Sequence, residues 1–323
     1  MAEIKTMAKK SWFLPAILGI VFVAIPPFLG GYIQHLLILM MMWITMATAW
    51  NLLGGYCGQV SFGHTVFFGL GAYGGGLLLL HWGISPWWGM IAGPLLAAII
   101  GIPIGLITFR LRGPYFALSM LALGETFRIV FTNWVSVLGG ASGVVSSRTF
   151  GINKLPYYYI ALTIAASSVY VVYRLMHSKY GYYFVSIRED QDAAEALGIP
   201  TTKYKMYALI PSAVFTGLAG AVWMNYIAYI DPEVVFSLAG ISIMMILAVM
   251  VGGAGTLWGP ILGGVIFVLL NEGIRATVGP ISYLIFMVIA CLLIMFLPDG
   301  IIGDWAKIKR VFRREKPVYV GGE

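Results

Sequence analysis

Long apolar runs, separated by short breaks rich in Gly, Pro or charge, recur along almost the whole chain. About 20 consecutive apolar helical residues cross the hydrocarbon core of a bilayer. Measured against that length, the pattern predicts ten spans, at about 12–30, 33–53, 65–81, 86–109, 114–133, 156–175, 206–228, 236–252, 259–275 and 281–297. The expected fold class is therefore all-α: a polytopic membrane protein with about ten transmembrane helices, forming a single transmembrane domain over 1–323.

Composition agrees with the pattern. The 323 residues are 60% hydrophobic and 10% charged, with a mean hydropathy of +0.89, whereas soluble domains are typically about 25% charged. The net charge of +7 does not point to nucleic acid once the basic residues are placed on the spans. With the amino terminus inside, Lys5, Lys9, Lys10, Arg110, Arg112, Arg174, Lys179, Arg188, Lys203, Lys205, Lys307, Lys309, Arg310, Arg313, Arg314 and Lys316 all fall on one side. Arg148 and Lys154 fall in loops on the other, and Arg128 and Arg275 lie in or at the end of spans. The positive-inside rule makes the crowded side cytoplasmic, with both termini there and a basic tail at about 304–323.

The first apolar run, SWFLPAILGIVFVAIPPFLGG, follows three lysines but is long and has no clear small-x-small cleavage site; it reads as an uncleaved helix. Cys57 and Cys291 sit in different apolar segments without metal or disulfide spacing, which makes them core residues. NLLGGYCGQVSFGH (51–64) is too rich in Gly and polar groups for a lipid-facing helix, so it is either re-entrant backbone lining protein or a cavity, or a plain cytoplasmic turn. The Gly/Ser-rich stretch WVSVLGGASGVVSSRTFGINKLP suits a docking surface or a connector.

GLGAYG at 69–74 has the dinucleotide-binding spacing but lies inside an apolar run, not in a βαβ unit. With GIPIG at 101–105 and GPILG at 259–263, it reads as a small-residue surface for close helix approach. No GxxxxGK[ST] occurs, and the longest soluble stretch is too short for a nucleotide-hydrolysing domain, so any ATP that drives this protein binds another chain. GxSxG and HExxH are also missing, which disfavours an intramembrane enzyme.

Intramembrane charge is costly and marks function or internal pairing. Glu125 and Arg128, at i and i+3, read as an ion pair that fixes helix packing, the alternative being a coupling proton site or substrate contact. Glu272 and Arg275 read the same way. His64 beside Ser61 reads as a hydrogen-bonded packing residue, since no second ligand completes a metal set. Asn51, Gln59, Ser61, His64, Glu125 and Arg128 are the positions for a pathway or for helix packing.

One charged stretch stands apart. In SIREDQDAAEALGI (186–199), Ser186 and Glu189 have capping-box spacing, acids crowd the first turns, and Gly198 with Pro200 ends the helix. Roughly ten helical residues reach only ~15 Å, half a bilayer. The expectation is a short cytoplasmic helix, either a solvated surface or a docking knob in which Ala194 and Leu197 sit on the docking face.

Four ordered segments, NLLGGYCGQVSFGHTVFFGLGAY (51–73), LRGPYFALSMLALGETFRIVFTNW (111–134), SIREDQDAAEALGI (186–199) and VMVGGAGTLWGP (249–260), resemble branched-chain amino acid ABC transporter permeases of the LivM type. The resemblance covers about residues 45–275. It implies a second, LivH-like permease, two cytoplasmic ABC ATPases that hold ATP and magnesium, a periplasmic or lipid-anchored substrate-binding protein, and residence in a bacterial inner membrane, with no cofactor bound by this chain. It also implies that Arg188, Glu189, Asp190, Asp192, Ala193, Ala194, Glu195, Ala196, Leu197 and Gly198, within a coupling segment at about 177–205, seat in an ATPase groove. The long amino-terminal extension of some members has no counterpart here, so span counts are not carried over from them. Related permeases import urea, amides or aromatic acids, so an ABC permease for urea or amides stays open, as does a proton-coupled secondary transporter using Glu125.

Overall fold

The computed structural model describes residues 22, 24–146, 150, 151, 153–296 and 300–303. Eight helices among them are long and apolar enough to cross a membrane. They match eight of the ten expected spans, and the last expected span is the 15-residue helix Ser282–Phe296. The span expected at 12–30 falls mostly outside the described residues, as do Arg148, the 304–323 tail and both termini.

The principal helices are α1 (Gly31–Asn51), α2 (His64–Trp82), α3 (Gly89–Thr108), α4 (Pro114–Asn133), α5 (Leu155–Met176), α6 (Lys179–Glu189), α7 (Gln191–Ala196), α8 (Thr201–Ile227), α9 (Met244–Gly252), α10 (Gly259–Val278) and α11 (Ser282–Phe296). Successive spans alternate in direction. Arg112, the α6–α7 pair and residues 51–63 and 253–258 gather at one end of the bundle, joined by Arg112–Asp192, Arg188–Gly55 and Asn51–Thr256 contacts. At the opposite end, the Lys154 ammonium donates to the Gly31 carbonyl at 2.8 Å. There β1 (Val144–Val145) pairs antiparallel with β2 (Tyr229–Ile230), so the Gly/Ser-rich stretch is tied to the end of α8.

Helix α8 packs on α2 and α3, and α1 packs on α5 and α10. The close packing of the first group rests on glycine. A Cβ on Gly71 would land on the Gly217 carbonyl, one on Gly74 would strike the Gly93 backbone, and one on Gly75 would meet the Pro86 carbonyl oxygen at 2.8 Å. GLGAYG is thus a helix-approach surface of the small-residue kind. The same holds for Gly259 and Gly263, whose added Cβ atoms would hit the carbonyls of Gly253 and Ala248. Gly101 and Gly105 face side chains instead.

Two spans depart from regular helix. α1 runs on through one π-helical turn, Leu52–Tyr56; such wide turns sit at single points in helices, frequently at functional sites. Glycine permits it here, because a Cβ on Gly54 would lie 2.5 Å from the Trp50 ring and one on Gly55 would strike Asn51. The stretch 51–64 is therefore a wide helical turn followed by the loop Cys57–Gly63, and the loop is stitched inward by the Trp50 indole, which donates to the Ser61 carbonyl at 2.8 Å. The span Pro232–Gly252 was expected to be one continuous helix from 236. It is discontinuous: a single turn Pro232–Val235, a break at Phe236 and Ser237, a π-turn Leu238–Ile243, and then α9.

Candidate functional site

Asp190 determines the local structure of the charged stretch. It is extended (φ −156°, ψ 111°), ends α6, and accepts hydrogen bonds at Oδ1 from the backbone N–H groups of Asp192 (2.9 Å) and Ala193 (3.0 Å). Asp190 is therefore the N-cap of α7. Ser186, expected in that role, lies inside α6 and donates to the Tyr182 carbonyl at 2.9 Å. The single helix expected from the sequence is two short helices with an aspartate hinge between them. Leu197 closes α7, and Gly198 turns the chain at φ +82°, where L side chains are strained.

This pair is clamped to the bundle by charge. Arg112, in the loop between α3 and α4, pairs with Asp192 and reaches the Glu195 carboxylate at 2.9 Å. Glu195 also accepts from the Thr201 hydroxyl (2.6 Å) and the Gln191 amide (2.9 Å). The Thr201 hydrogen bond, then that from Gln191, with Arg112 adding to them, holds its carboxyl below the ordinary carboxylate range. From beneath, the buried Lys205 donates to Gln191 Oε1 at 2.6 Å. Arg112 and Lys205 entered the sequence reading only as positive charges; nothing in their local pattern marks them as anchors of a helix eighty or fourteen residues away.

Arg188 faces the other way. Its guanidinium holds Glu189 at 2.7 Å and donates a long hydrogen bond, 3.4 Å, to the Gly55 carbonyl in the π-turn. Its stem covers Gly58 (φ +71°), where an added Cβ would come within 2.8 Å of Arg188 Cγ. Arg188 thus touches the wide turn that ends α1, and that turn is joined through Asn51 to the loop 253–258 that ends α9. Displacing α6 would move both turns together.

Ala194 requires a correction. It is 2% exposed and belongs to the main hydrophobic core, so it faces the bundle and not a docking partner. Leu197 is 83% exposed. Arg188, Glu189, Asp190, Asp192, Ala193, Glu195, Ala196, Leu197 and Gly198 all lie at this end of the bundle, and Ala193 and Ala196 are exposed.

Deeper in, the polar candidates form a closed network. The Ser212 hydroxyl donates to the Ala49 carbonyl at 2.6 Å, so it can only accept from His64 Nε2 at 2.7 Å. His64 Nδ1 is then left to accept from the Ser61 hydroxyl at 3.1 Å, while Ser61 Oγ accepts from the Gly63 N–H at 3.3 Å. Both ring nitrogens of His64 are satisfied within the network, which fixes one ring tautomer. Among the described residues no His, Cys, Asp and Glu group could hold a metal ion. Gln59 is buried and reaches only the Cys57 carbonyl at 3.4 Å. Cys57 is buried, as expected, whereas Cys291, also expected in the core, is exposed; burial pushes the Cys57 thiol up to about 12, with Lys205 acting against it.

Glu125 and Arg128 pair on α4, with Arg128 Nε 3.0 Å from Glu125 Oε2. Arg128 also pairs with Glu233, so the triad ties α4 to the turn Pro232–Val235. Glu272 and Arg275 contact at 3.4 Å on α10.

The fold is a multi-pass helical bundle with a pair of short charged helices held beyond the spans at one end. The family model for branched-chain amino acid transport system permease components matches residues 32–297, and the chain belongs to that family. It is 27% identical to the high-affinity branched-chain amino acid transport system permease protein LivM of Salmonella typhimurium and 28% identical to that of Escherichia coli, in each case over 91% of this chain and 75% of the relative. The probable branched-chain amino acid transport permease protein LivM of Methanocaldococcus jannaschii is 23% identical over 67% of this chain and 68% of its own length. The chain is thus a permease subunit of an ABC transport system.

Proposed function

We propose that this chain is one half of the pore of an importer for branched-chain or other hydrophobic amino acids in a bacterial inner membrane. The observation that carries the reading is the α6–α7 pair. It is too short to cross a bilayer, lies at the end of the bundle where the basic residues collect, and exposes Leu197 while Arg112 and Lys205 hold it rigidly. That end is cytoplasmic in this reading, both termini lie there, and the pair seats in a groove of one of two ABC ATPases, which carry the ATP and magnesium. A second, LivH-like permease completes the pore, and a periplasmic or lipid-anchored binding protein delivers substrate to the Lys154 end.

Coupling then follows from the contacts. ATP-driven closure of the ATPases pushes α6 and α7; Arg188 passes the displacement to Gly55 and Gly58, and Asn51 passes it to Gly255 and Thr256. The turns that end α1 and α9 shift together, and the two pore states differ in their affinity for substrate, as coupling requires.

The test is leucine uptake by cells that carry this chain with its neighbouring transport genes. Uptake is expected to vanish on deleting either this chain or a neighbouring P-loop ATPase, and to ignore an imposed pH gradient. Uptake that follows the gradient without an ATPase overturns the reading in favour of a proton-coupled carrier. Asp190→Cys, in a background with Cys57 and Cys291 replaced, is expected to label only after permeabilisation; labelling in intact cells overturns the orientation.

A further inference from the structure

The broken span has a reason that the cytoplasmic end does not supply. Non-helical backbone at membrane depth persists where it lines protein or a cavity, and Ser237, Ala239 and Gly240 of the break line a cavity of about 400 Å³. Its other walls come from α1, α2, α8, α10 and α11, in the half of the bundle toward the Lys154 end. Most of the lining is apolar, including Met42, Phe68, Met244 and Phe267. Three charges, Glu233, Glu272 and Arg275, also line it. Glu233 and Arg275 have side chains more than half exposed, and Arg275 holds Glu272 only loosely at 3.4 Å.

Two further lining residues carry polar atoms without a partner. The Trp223 indole Nε1 and the Asn271 carboxamide Oδ1 are buried and make no hydrogen bond. Orphans of this kind are costly, and native proteins keep few of them. Both atoms are closed off from the cavity space, so the groups an occupant meets are the three charges and the apolar wall.

We propose that this cavity is a binding site, on this chain itself, for the free amino acid in transit. The substrate ammonium is held by Glu272 and by Glu233, which it shares with Arg128. The carboxylate is held by Arg275, and the apolar side chain lies against Met42, Phe68, Met244 and Phe267. The inference rests on the proposed transport of hydrophobic amino acids and adds a site within the membrane. A cavity of this size lies within the range of small-ligand sites, and its lining rejects polar side chains, which would lose their hydration without gaining partners.

The experiment uses Ala239→Cys in a Cys291→Ser background, with Cys57 buried, and the full chain reconstituted in nanodiscs without phosphatidylethanolamine. The rate of modification by a charged methanethiosulfonate is measured with L-leucine, leucinamide, isocaproate or L-glutamate at millimolar concentration. Leucine is expected to slow modification several-fold, and the three others, each lacking the ammonium, the ionised carboxylate or the apolar side chain, to leave it unchanged. Arg275→Gln, which removes the charge that holds the carboxylate, is expected to raise the leucine concentration needed by about tenfold, as loss of one charge-assisted hydrogen bond implies. Absent protection, equal protection by leucinamide or isocaproate, protection by added phosphatidylethanolamine alone, or an unchanged Arg275→Gln variant each overturns the site. Leucine uptake is followed in parallel. Uptake that depends on the chain while leucine gives no protection removes the site and leaves the transport reading; uptake independent of the chain removes the transport reading.

Discussion

Asn51 donates from Nδ2 to the Thr256 carbonyl at 2.8 Å while its Oδ1 accepts the Gly255 N–H at 2.8 Å. A single carboxamide therefore stands in for a strand partner and joins the turn that ends α1 to the turn that ends α9. Asn51 is fully buried. Asn51→Ala leaves a part-buried N–H and C=O unpaired, at about 1–3 kcal/mol each. The midpoint of thermal unfolding in detergent is expected to fall by several degrees. Asn51→Asp keeps the acceptor for Gly255 but has no donor for Thr256 and adds a buried charge, so it is expected to be at least as damaging. A wild-type midpoint for Asn51→Ala would show that the two turns are held by other contacts.

The contact between Arg188 and Gly58 lends itself to a double-mutant cycle. Gly58→Ala places a Cβ against the Arg188 stem and a side chain at φ +71°, and the backbone strain alone costs about 1–2 kcal/mol. Arg188→Ala removes the closest contact, 2.8 Å to Cγ, while the Cα at 3.0 Å, the Cβ at 3.2 Å and the backbone strain remain. The double variant is expected to be more stable than the sum of the single losses implies, by more than the ~0.5 kcal/mol scatter of independent sites. Strict additivity would mean that α6 does not press on the Cys57–Gly63 loop.

Glu195 gives the clamp a pH dependence of definite sign. Its folded carboxyl titrates below the ordinary glutamate value because the Thr201 hydroxyl, the Gln191 amide and then Arg112 favour the ionised form. The folded state therefore binds the proton more weakly than the unfolded chain. The stabilisation is fully present above the ordinary value of about 4.3 and is lost as pH falls through the depressed folded value. Amide exchange in residues 191–196, corrected for intrinsic rate, is expected to show constant protection from neutral pH down to about 5 and a decline in more acid solution. Glu195→Gln is expected to flatten that profile; an acid decline of the same size in the variant would assign the effect to another group.

Spans were legible because a bilayer demands one simple property, an unbroken run of apolar residues, and α4, expected at 114–133, occupies Pro114–Asn133. Glycine pairs such as Gly71 with Gly217 were legible as a class but not as partners, since spacing along one helix names no neighbour. What stayed hidden were departures from helix inside apolar sequence. Within FSLAGISIMM only Ser237 marks the break, its Oγ accepting the Gly240 N–H at 3.0 Å, and the rest of the support is distant: Thr65 donates from Oγ1 to the Val235 carbonyl at 3.2 Å, and its N–H donates to Ser242 Oγ at 3.0 Å. The cap differs from the expected Ser186 because the chain is extended at Asp190, whose carboxylate accepts the Asp192 and Ala193 N–H groups, while Ser186 lies inside α6.

The exposed and buried faces of α7 make opposite demands on two neighbouring positions. Leu197 is 83% exposed and Ala194 only 2%, so the first is open to a docking partner and the chain's own core holds the second. Burying a leucine fully is worth about 1.5–3 kcal/mol, and placing an arginine at that contact adds an unpaired charge to the interface. Leu197→Arg is therefore expected to insert, fold and melt like the wild type, yet to lose co-purification with the ATPases and substrate-stimulated ATP hydrolysis. Ala194→Arg drives a long charged side chain into close-packed core, where overpacking alone costs about 1–3 kcal/mol. It is expected to lower the melting temperature and raise proteolysis at residues 186–199 in the isolated chain, with no partner present. Ala194→Gly, which only vacates a methyl group, separates loss of packing from overpacking and is expected to fall between wild type and Ala194→Arg. If Leu197→Arg retains full ATPase association and wild-type uptake, the α6–α7 pair is a solvated cap on the bundle, and drive reaches the pore by another surface.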